Sequence, residues 1–316
     1  MQFLKQCKGV ITMKTYNLKP FYTDDEIKAR EGEFLDESDY DMVISEDCDA
    51  YDENGDPLFF FRKNKIPTEL CKKAYKVLRH AATPTNNRGA AGGIINDETM
   101  QAFNIGDVGK LGVRAIRSDG TLSNTRRANT VNSGIVGYFD RTARFPYCRQ
   151  TAWYEKNFQM FADAYPYISY INKLFKEACP DRYEKQKAVA EKTNKDFIIG
   201  DTSFTTITVN KNFRTALHVD ANDYEEGLGN LAVLEAGKYE GAYTVMPKYR
   251  VAFDVRSGDV CFFNVHQYHA NTEIKAKLAY ERISVVCYYR KNMHKCLDAE
   301  GELQRAKNRT AGQKLN

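Results

Sequence analysis

The sequence predicts an α+β protein in which helices come first and a β-rich core follows. Apolar residues recur at helical spacing across 66–82 and again across 153–178. From about residue 197 onward, short β-branched or aromatic runs alternate with Gly, Pro or charged turns. Several short strands at this spacing favour a sandwich or barrel over a parallel α/β sheet.

The chain divides by composition into three parts. The predicted domain covers 66–295, with a helical part at about 66–195 and a β core at about 196–290. Residues 1–65 are predicted to be an acidic N-terminal extension of uncertain order, and 296–316 a polar C-terminal tail. No interdomain linker or internal repeat interrupts the predicted domain.

The predicted elements follow in order along the chain. The helix at 66–82 precedes an Asn- and Gly-rich loop, and 110–135 is polar and basic. Pro166 is predicted to separate two helices within 153–178, and Pro180 to end the second, because proline cannot continue a helix. The predicted strands are FIIG, SFTTITVN, NLAVLE, AYTVM, VAFDV, DVCFFNV and ERISVVCYYR.

Composition is that of a soluble globular enzyme, with 42% apolar and 28% charged residues. No run approaches the length of a membrane span, and the N-terminus lacks the pattern of a secretory signal. None of the eight cysteines forms a Cys-x-x-Cys pair, so we expect reduced thiols and no disulfide-linked partner. These features predict a monomer that is not secreted, in the cytoplasm of a bacterium or phage-infected host or in a eukaryotic nucleus.

Charge is unevenly distributed along the chain. Residues 24–56 carry 15 acidic side chains against only Lys28 and Arg30, a local balance of −13. Since the whole chain has a net charge of +4, the remainder is about +17. A body that basic attracts a polyanion, for which nucleic acid is the commonest candidate, although cations spread over solvated faces explain the charge equally well.

Two of the five histidines lie in a pattern that indicates a metal site. His218 and Asp220 are two residues apart, so in a strand they point to the same side and can bind one ion. A histidine about fifty residues downstream fits the hairpins of a double-stranded β-helix. Two imidazoles and one carboxylate on one face of iron(II) leave open positions for an oxo acid and oxygen. Either His266 or His269 would serve as the second imidazole, because residues three apart on a strand point to opposite sides.

An arginine in a late strand adds a second signal. Arg282 lies thirteen residues beyond His269, within the apolar segment RISVV. Burial of a guanidinium is costly without an anion, and the distal carboxylate of 2-oxoglutarate would bind it in bidentate fashion. A structural ion pair with an Asp or Glu is the alternative.

The segment HANTEI…RISVVCYYR resembles the His-(Ala/Gly)-x-Thr…Arg-(Ile/Leu)-Ser-x-Val-x-Tyr pattern of the TET/JBP oxygenases. The segment FTTITVNKNFRTALHVDANDYEEGLGNLAVLE, NNRGAAGG at 86–93 and SGIVGYFDR at 133–141 are also similar to motifs of the JBP-like, phage and algal branch. The resemblance covers roughly 80–290, and it selects His269 as the ligand because the ligand begins the family motif. The Cys-rich zinc-binding apparatus of animal TET enzymes has no counterpart in this sequence.

The resemblance implies a jelly-roll core, iron(II), 2-oxoglutarate and oxygen, and oxidation of the methyl group of a 5-methylpyrimidine in DNA. We expect His218, Asp220 and His269 to bind the metal and Arg282 the co-substrate. We expect 5-methylcytosine to be the substrate, oxidised to 5-hydroxymethylcytosine and possibly further. The alternatives are a thymine hydroxylase that makes 5-hydroxymethyluracil, and a non-catalytic domain that binds modified DNA. A methyl group inside a stacked duplex is hard to reach, so base flipping is expected.

Further candidates come from loops and strands near these motifs. For the co-substrate they are Arg88, in a Gly-rich loop, and Asn210 and Arg214, which alternate before His218. For the base they are Asp223 and the aromatic–acid cluster of Tyr138, Phe139 and Asp140, and for DNA phosphates Arg126 and Arg127. Core packing for Tyr138, an edge strand for Asn210 and Arg214, and turn capping for Asp223 are the structural alternatives.

Overall fold

A computed structural model describes residues 13–93, 103–104, 114–116, 122–126, 129–142 and 145–308. The strands in this part of the chain are β1 (Lys14–Leu18), β2 (Met42–Ile44), β3 (Cys48–Asp52), β4 (Pro57–Arg62), β5 (Thr83–Thr85), β6 (Phe103–Asn104), β7 (Arg114–Ile116), β8 (Leu122–Arg126), β9 (Val131–Phe139), β10 (Arg149–Gln150), β11 (Thr206–Lys211), β12 (Gly229–Ala236), β13 (Glu240–Gly241), β14 (Thr244–Met246), β15 (Val251–Phe253), β16 (Val260–Phe263), β17 (Ala270–Asn271), β18 (Ile274–Lys275) and β19 (Glu281–Tyr288). The α-helices are α1 (Asp24–Ala29), α2 (Thr68–Leu78), α3 (Ala152–Lys156), α4 (Phe158–Phe161), α5 (Tyr165–Ala178), α6 (Pro180–Glu191) and α7 (Ala299–Lys307).

Two sheets face each other across the core. The main sheet has the order β1-β3-β4-β16-β12-β19-β11-β9-β10, and β5 also pairs with β9. The second sheet has the order β17-β14-β15-β2. A shared cluster of buried side chains joins them, with Phe59 and Leu231 from the main sheet against Val251 and Phe253 from the second. This is the jelly-roll core, in which apolar side chains from both sheets interdigitate.

The outer face of the main sheet is covered by helices. Phe175 of α5 stacks on Phe262 of β16, with ring centroids 5.5 Å apart, and Leu78 of α2 belongs to the same buried cluster. Side chains of β19 alternate between the two faces of the main sheet. Ile283 and Val285 pack under the helices, whereas Arg282, Ser284 and Val286 face the jelly-roll interior. The alternation decides which side chains reach the site.

Most predicted elements occur near their expected positions. Pro166 lies in the first turn of α5, and Pro180 begins α6 after α5 has ended at Ala178. The predicted FIIG strand is wrong, because Phe197 ends a 3-10 turn and Gly200 adopts a φ of +53°. Among the described helices, none is long and apolar enough to cross a membrane.

The predicted boundary at residue 65 does not separate an extension from a domain. Residues 14–62 supply β1, β3 and β4 of the main sheet and β2 of the second. Strand β4 pairs with β16 through the buried run Phe59–Phe61. The acidic side chains obscured this signal, and several of them form ion pairs, such as Asp49 with Arg62 at 2.7 Å.

The C-terminal region and two cysteines also differ from prediction. Residues 296–316 were expected to form a polar tail, but α7 lies within them. Cys148 and Cys296 form a disulfide, so the expectation of reduced thiols throughout is wrong for this pair. They are separated by 148 residues, a distance at which sequence spacing carries no pairing information. The buried Glu302 of α7 accepts a hydrogen bond from the Cys148 backbone N–H at 2.8 Å.

Candidate metal centre and substrate cavity

The segment that contains His218 and Asp220 is hydrogen-bonded to the segment that contains His269. His218 and His269, the residue just before β17, form an antiparallel bridge with N–O distances of 3.0 and 2.9 Å between their backbones. The backbone N–H of Asp220 donates to the Val265 carbonyl at 3.0 Å, which fixes the second residue of the pair. The fold therefore brings together residues about fifty positions apart.

The three side chains converge on one point. Nε2 of His218 lies 3.8 Å from Oδ1 of Asp220, and Nε2 of His269 lies 3.8 Å from its Oδ2. One donor atom from each residue lies within 4.8 Å of the others. Two imidazoles and a carboxylate at this separation match the facial arrangement that non-haem iron(II) takes.

Backbone carbonyls orient both imidazoles. Nδ1 of His218 lies 2.8 Å from the Ala216 carbonyl, and Nδ1 of His269 lies 2.9 Å from the Gln267 carbonyl. A carbonyl accepts, so Nδ1 carries the proton and Nε2 has its lone pair directed at the shared point. Burial, and secondarily the neighbouring His218, lower the pKa of His269 to about 4, which keeps this ring neutral.

His266 lies outside the convergent group. Its backbone N–H donates to Oδ1 of Asn264 at 3.1 Å, and its Nε2 is buried with no hydrogen-bond partner among the described residues. The geometry thus agrees with His269 as the second imidazole.

The N-terminal segment supports the metal site from outside. The Gly32 N–H donates to the Leu217 carbonyl, and the Leu217 N–H to the Glu33 carbonyl, both at 2.8 Å. Ile27 and Leu35 pack with Leu217 in one buried cluster. Both backbone groups of Leu217, the residue before His218, are therefore bonded to the N-terminal acidic region, a role that its composition did not reveal.

Arg282 projects from β19 into the jelly-roll interior. Only 2% of the residue is exposed, and its Nε has no hydrogen-bond partner among the described residues. Burial lowers the pKa of Arg282, and the nearby Tyr239 opposes this effect. A buried cation that lacks a partner for one N–H fits a carboxylate ligand better than the structural ion pair considered as its alternative.

Tyr239 lies in a cluster beside Arg282 that sequence inspection missed. Its hydroxyl donates to Oε2 of Glu235 at 2.7 Å, and Glu235 is the cross-strand partner of Arg282. The Arg256 guanidinium stacks 4.4 Å from the centroid of the Tyr239 ring. The cluster therefore holds the tyrosine rigidly beside the arginine.

A cavity of about 1300 Å³ contains the metal group and Arg282. Besides these residues, several polar and aromatic side chains line it: Arg88, Ser133, Phe139, Trp153, Thr208, Asn210, Asp223, Asn271, Ser284, Tyr288 and Arg290. Tyr288 and Arg290 escaped notice in the sequence, although they continue the two-residue alternation of Arg282 and Ser284.

Two of the three co-substrate candidates reach the cavity. Arg88 lines it, and burial lowers the pKa of its guanidinium while Tyr288 and Asp220 raise it. Asn210 lines it too and accepts a hydrogen bond from Ser133. Arg214 does not line it; its Nη2 donates to the Leu35 carbonyl at 2.7 Å. The predicted alternation fails because Asn212 has a φ of +47° and ends the extended backbone.

The predicted base contacts divide in the same way. Asp223 lines the cavity, and burial, followed by the charge of Asp220, raises its pKa well above the usual range. Tyr138 and Asp140 do not line it. Tyr138 packs edge-to-face on Tyr154 with ring centroids 5.5 Å apart, and Asp140 is 2% exposed.

The position between those two residues is the one that faces the cavity. Phe139 lines it because neighbours on β9 point to opposite faces. Of the predicted cluster Tyr138, Phe139 and Asp140, Phe139 alone lines the cavity. Of the predicted phosphate contacts, Arg126 ends β8 in the three-stranded β6-β7-β8 sheet, and Arg127 lies outside the described residues.

A jelly roll with a two-histidine, one-carboxylate group near a buried arginine defines the class of iron(II)- and 2-oxoglutarate-dependent oxygenases. Residues 134–291 match the family model Tet_JBP, described as the oxygenase domain of the 2OGFeDO superfamily. The chain belongs to this TET/JBP family, and its cofactors are iron(II), 2-oxoglutarate and O₂. The prediction of the family from the late motifs is confirmed.

Curated relatives share this similarity over most of the chain. The bifunctional helicase and thymine dioxygenase JBP2 of Trypanosoma cruzi is 33% identical over 267 residues, 83% of this chain and 21% of that protein. Thymine dioxygenase JBP1-B of the same organism is 36% identical over 213 residues, 64% of this chain and 24% of that protein. The chain thus spans about a fifth to a quarter of the length of these relatives.

A solved structure supports the fold. NgTET1 in complex with 5mC DNA aligns with a TM-score of 0.51 and 13% identity, over 84% of this chain and 86% of that one. At this identity the likeness concerns the fold alone.

Proposed function

We propose that this protein oxidises the methyl group of thymine in DNA to 5-hydroxymethyluracil. The observation that carries the proposal is one cavity that contains both a convergent His218–Asp220–His269 group and the buried guanidinium of Arg282. The named relatives are thymine dioxygenases, which supports thymine better than the 5-methylcytosine first expected.

The residues fit the cofactors that the family uses. His218, Asp220 and His269 would hold iron(II), and Arg282 would bind the distal carboxylate of 2-oxoglutarate. The donor set suits iron, and the unpartnered Nε of Arg282 supplies a donor for the carboxylate. When bound, the iron and co-substrate supply an oxidant able to remove a hydrogen atom from a methyl group.

The protein's own side chains bind and orient the substrate. The cavity is larger than 2-oxoglutarate requires, so it leaves room for a base extruded from DNA. Phe139, Trp153 and Tyr288 offer aromatic surfaces against which a flipped base stacks. Arg88 and Arg290 also line the cavity and provide N–H donors for polar groups of the substrate.

Substitution of uracil for thymine isolates the methyl group as the target. Two duplexes of identical sequence, one with thymine and one with uracil at every such position, are incubated with protein, iron(II), 2-oxoglutarate and oxygen. We expect succinate release to be strongly stimulated by the thymine duplex alone. Equal stimulation by both duplexes, or none by either, would contradict the proposal.

A further inference from the structure

The cavity contains a donor–acceptor pair beside the metal group. Asp223 and Arg290 are partners in an isolated antiparallel bridge, and both line the cavity. The Asp223 N–H donates to the Asp220 carbonyl at 3.2 Å, so the pair adjoins a metal-site residue. Oδ2 of Asp223 is buried with no partner among the described residues.

The Arg290 side chain and backbone are fixed by contacts with Asp140, Phe139 and Thr205. Its Nε donates to Oδ1 of Asp140 at 2.8 Å, and both side chains are largely buried. The guanidinium stacks on Phe139, 5.0 Å from the ring centroid, and the backbone N–H donates to Thr205 Oγ1 at 3.0 Å. Asp140 occupies the Nε–H and the Tyr288 side chain also hydrogen-bonds the guanidinium. A guanidinium has five N–H donors, so terminal N–H groups remain for a base.

The two pyrimidines differ where such a pair would touch them. Thymine presents the O4 acceptor next to the N3–H donor, whereas 5-methylcytosine presents an amino donor next to the N3 acceptor. A guanidinium only donates, and a carboxyl oxygen accepts in either protonation state. Arg290 and Asp223 are therefore complementary to the thymine edge, while the amino group of 5-methylcytosine would face a guanidinium that cannot accept.

On the basis of the proposed function, we propose that Arg290 and Asp223 distinguish thymine from 5-methylcytosine. Arg290 donates to O4 and Asp223 accepts from N3–H. Asp140 is the positioning residue that directs Arg290. A site built to hydrogen-bond one edge rejects the other because its buried polar groups would be left unpaired. A bidentate side-chain–base contact typically discriminates by about 10- to 100-fold.

Replacement of the donor by an amide tests the pair. Glutamine both donates and accepts, so Arg290→Gln should accept either base. We expect the thymine to 5-methylcytosine ratio of kcat/KM to fall at least about tenfold. The same fall is expected in the ratio of affinities for oligonucleotides with one mispaired thymine or 5-methylcytosine. That binding is measured without oxygen, with the Mn(II)- and 2-oxoglutarate-loaded protein.

Lys291→Gln is the matched control. It removes the same charge from the next residue, whose Nζ donates to the Ala221 carbonyl at 2.8 Å and which does not line the cavity. We expect its ratios to equal those of the wild type. Binding of 2-oxoglutarate, followed by calorimetry, should be unchanged in both variants and shows that each is folded.

The role of Asp140 is tested through Arg290. Asp140→Asn should lower both ratios in the wild type and change neither in the Arg290→Gln background, since it acts through the guanidinium. Unchanged ratios in Arg290→Gln with normal 2-oxoglutarate binding would overturn the inference while leaving the proposed function intact. Oxidation of neither base by the wild type would instead contradict the proposed function, and the oxygen-free binding ratio would still decide the inference.

Discussion

Two histidines three residues apart have different surroundings. His269 directs Nε2 at Asp220, whereas His266 has a buried Nε2 outside the convergent group. We predict that His269→Ala weakens Mn(II) binding by more than about 100-fold, since it removes one of three protein ligands. His266→Ala should retain tight binding. The measurement is calorimetric titration of each variant, and the reverse order of effects would refute the assignment of His269.

Tyr239 belongs to the cluster around Arg282. Tyr239→Phe removes the hydroxyl that Glu235 holds beside the guanidinium. One hydrogen bond contributes about 1 kcal/mol, so the Kd for 2-oxoglutarate should rise about fivefold.

Tyr280→Phe is the control, because Tyr280 packs on the Tyr239 ring with centroids 5.7 Å apart. Its hydroxyl makes no hydrogen bond in the described part of the chain, so we expect no change in Kd. An equal rise in both variants would show that the effect does not come from the Tyr239 hydroxyl.

Single residues also show how far sequence inspection reaches. The two-residue period of strands placed His218 with Asp220, and the apolar sequence around Arg282 indicated that its guanidinium is buried. The period failed for Arg214, because the left-handed Asn212 resets the alternation. It was not applied to the cluster Tyr138, Phe139 and Asp140, of which only Phe139 lines the cavity, because a strand's phase is set by the sheet it packs into. A period is local, whereas its phase depends on tertiary packing.

At the scale of elements, Glu281 ties helix α2 to the start of β19. Its carboxylate accepts from Tyr75 of α2 and from Arg79, the residue after α2, and pairs with Lys211 of β11, each at 2.7 Å. Burial alone would raise its pKa, but these three partners lower it to about 2.

A carboxyl group whose pKa is depressed on folding stabilises the protein above its unfolded pKa. That contribution is lost as the pH falls from about 4.5 towards 2. We predict that Glu281→Gln lowers the free energy of unfolding at pH 7 by about 1 kcal/mol, after allowance for solvent screening. Denaturant titrations at pH 7 and pH 3 test this, because the difference from wild type should shrink at the lower pH. A constant difference would rule out the ionised pair as its source.

Element prediction succeeded where periodicity dominated and failed where charge masked it. Helices α2 and α5 were both predicted, because apolar residues recur at helical spacing on the face of each helix that covers the main sheet. Strands β1 to β4 lie in or beside the acidic region and were missed, although Phe59–Phe61 is an apolar run in the sequence. Edge and near-edge strands tolerate acidic residues because their exposed positions remain solvated.

At the scale of the whole molecule, the Cys148–Cys296 disulfide links the C-terminal region to the segment before β10. A cross-link over a loop of this length restricts the unfolded chain, and such bonds typically contribute about 2–4 kcal/mol. We predict that a dithiol reductant lowers the free energy of unfolding by about that amount in the wild type. The Cys148→Ser/Cys296→Ser double variant should show no response to reductant. Equal stability of the wild type with and without reductant would contradict the prediction.

The reaction proposed for this jelly roll is oxidation of thymine in DNA. One DNA duplex containing both thymine and 5-methylcytosine is incubated with the protein, iron(II), 2-oxoglutarate and oxygen, then digested to nucleosides for mass spectrometry. We predict 5-hydroxymethyluracil in excess of any 5-hydroxymethylcytosine, and neither product from His269→Ala. Exclusive formation of 5-hydroxymethylcytosine, or an unchanged nucleoside profile with the wild type, would contradict the account.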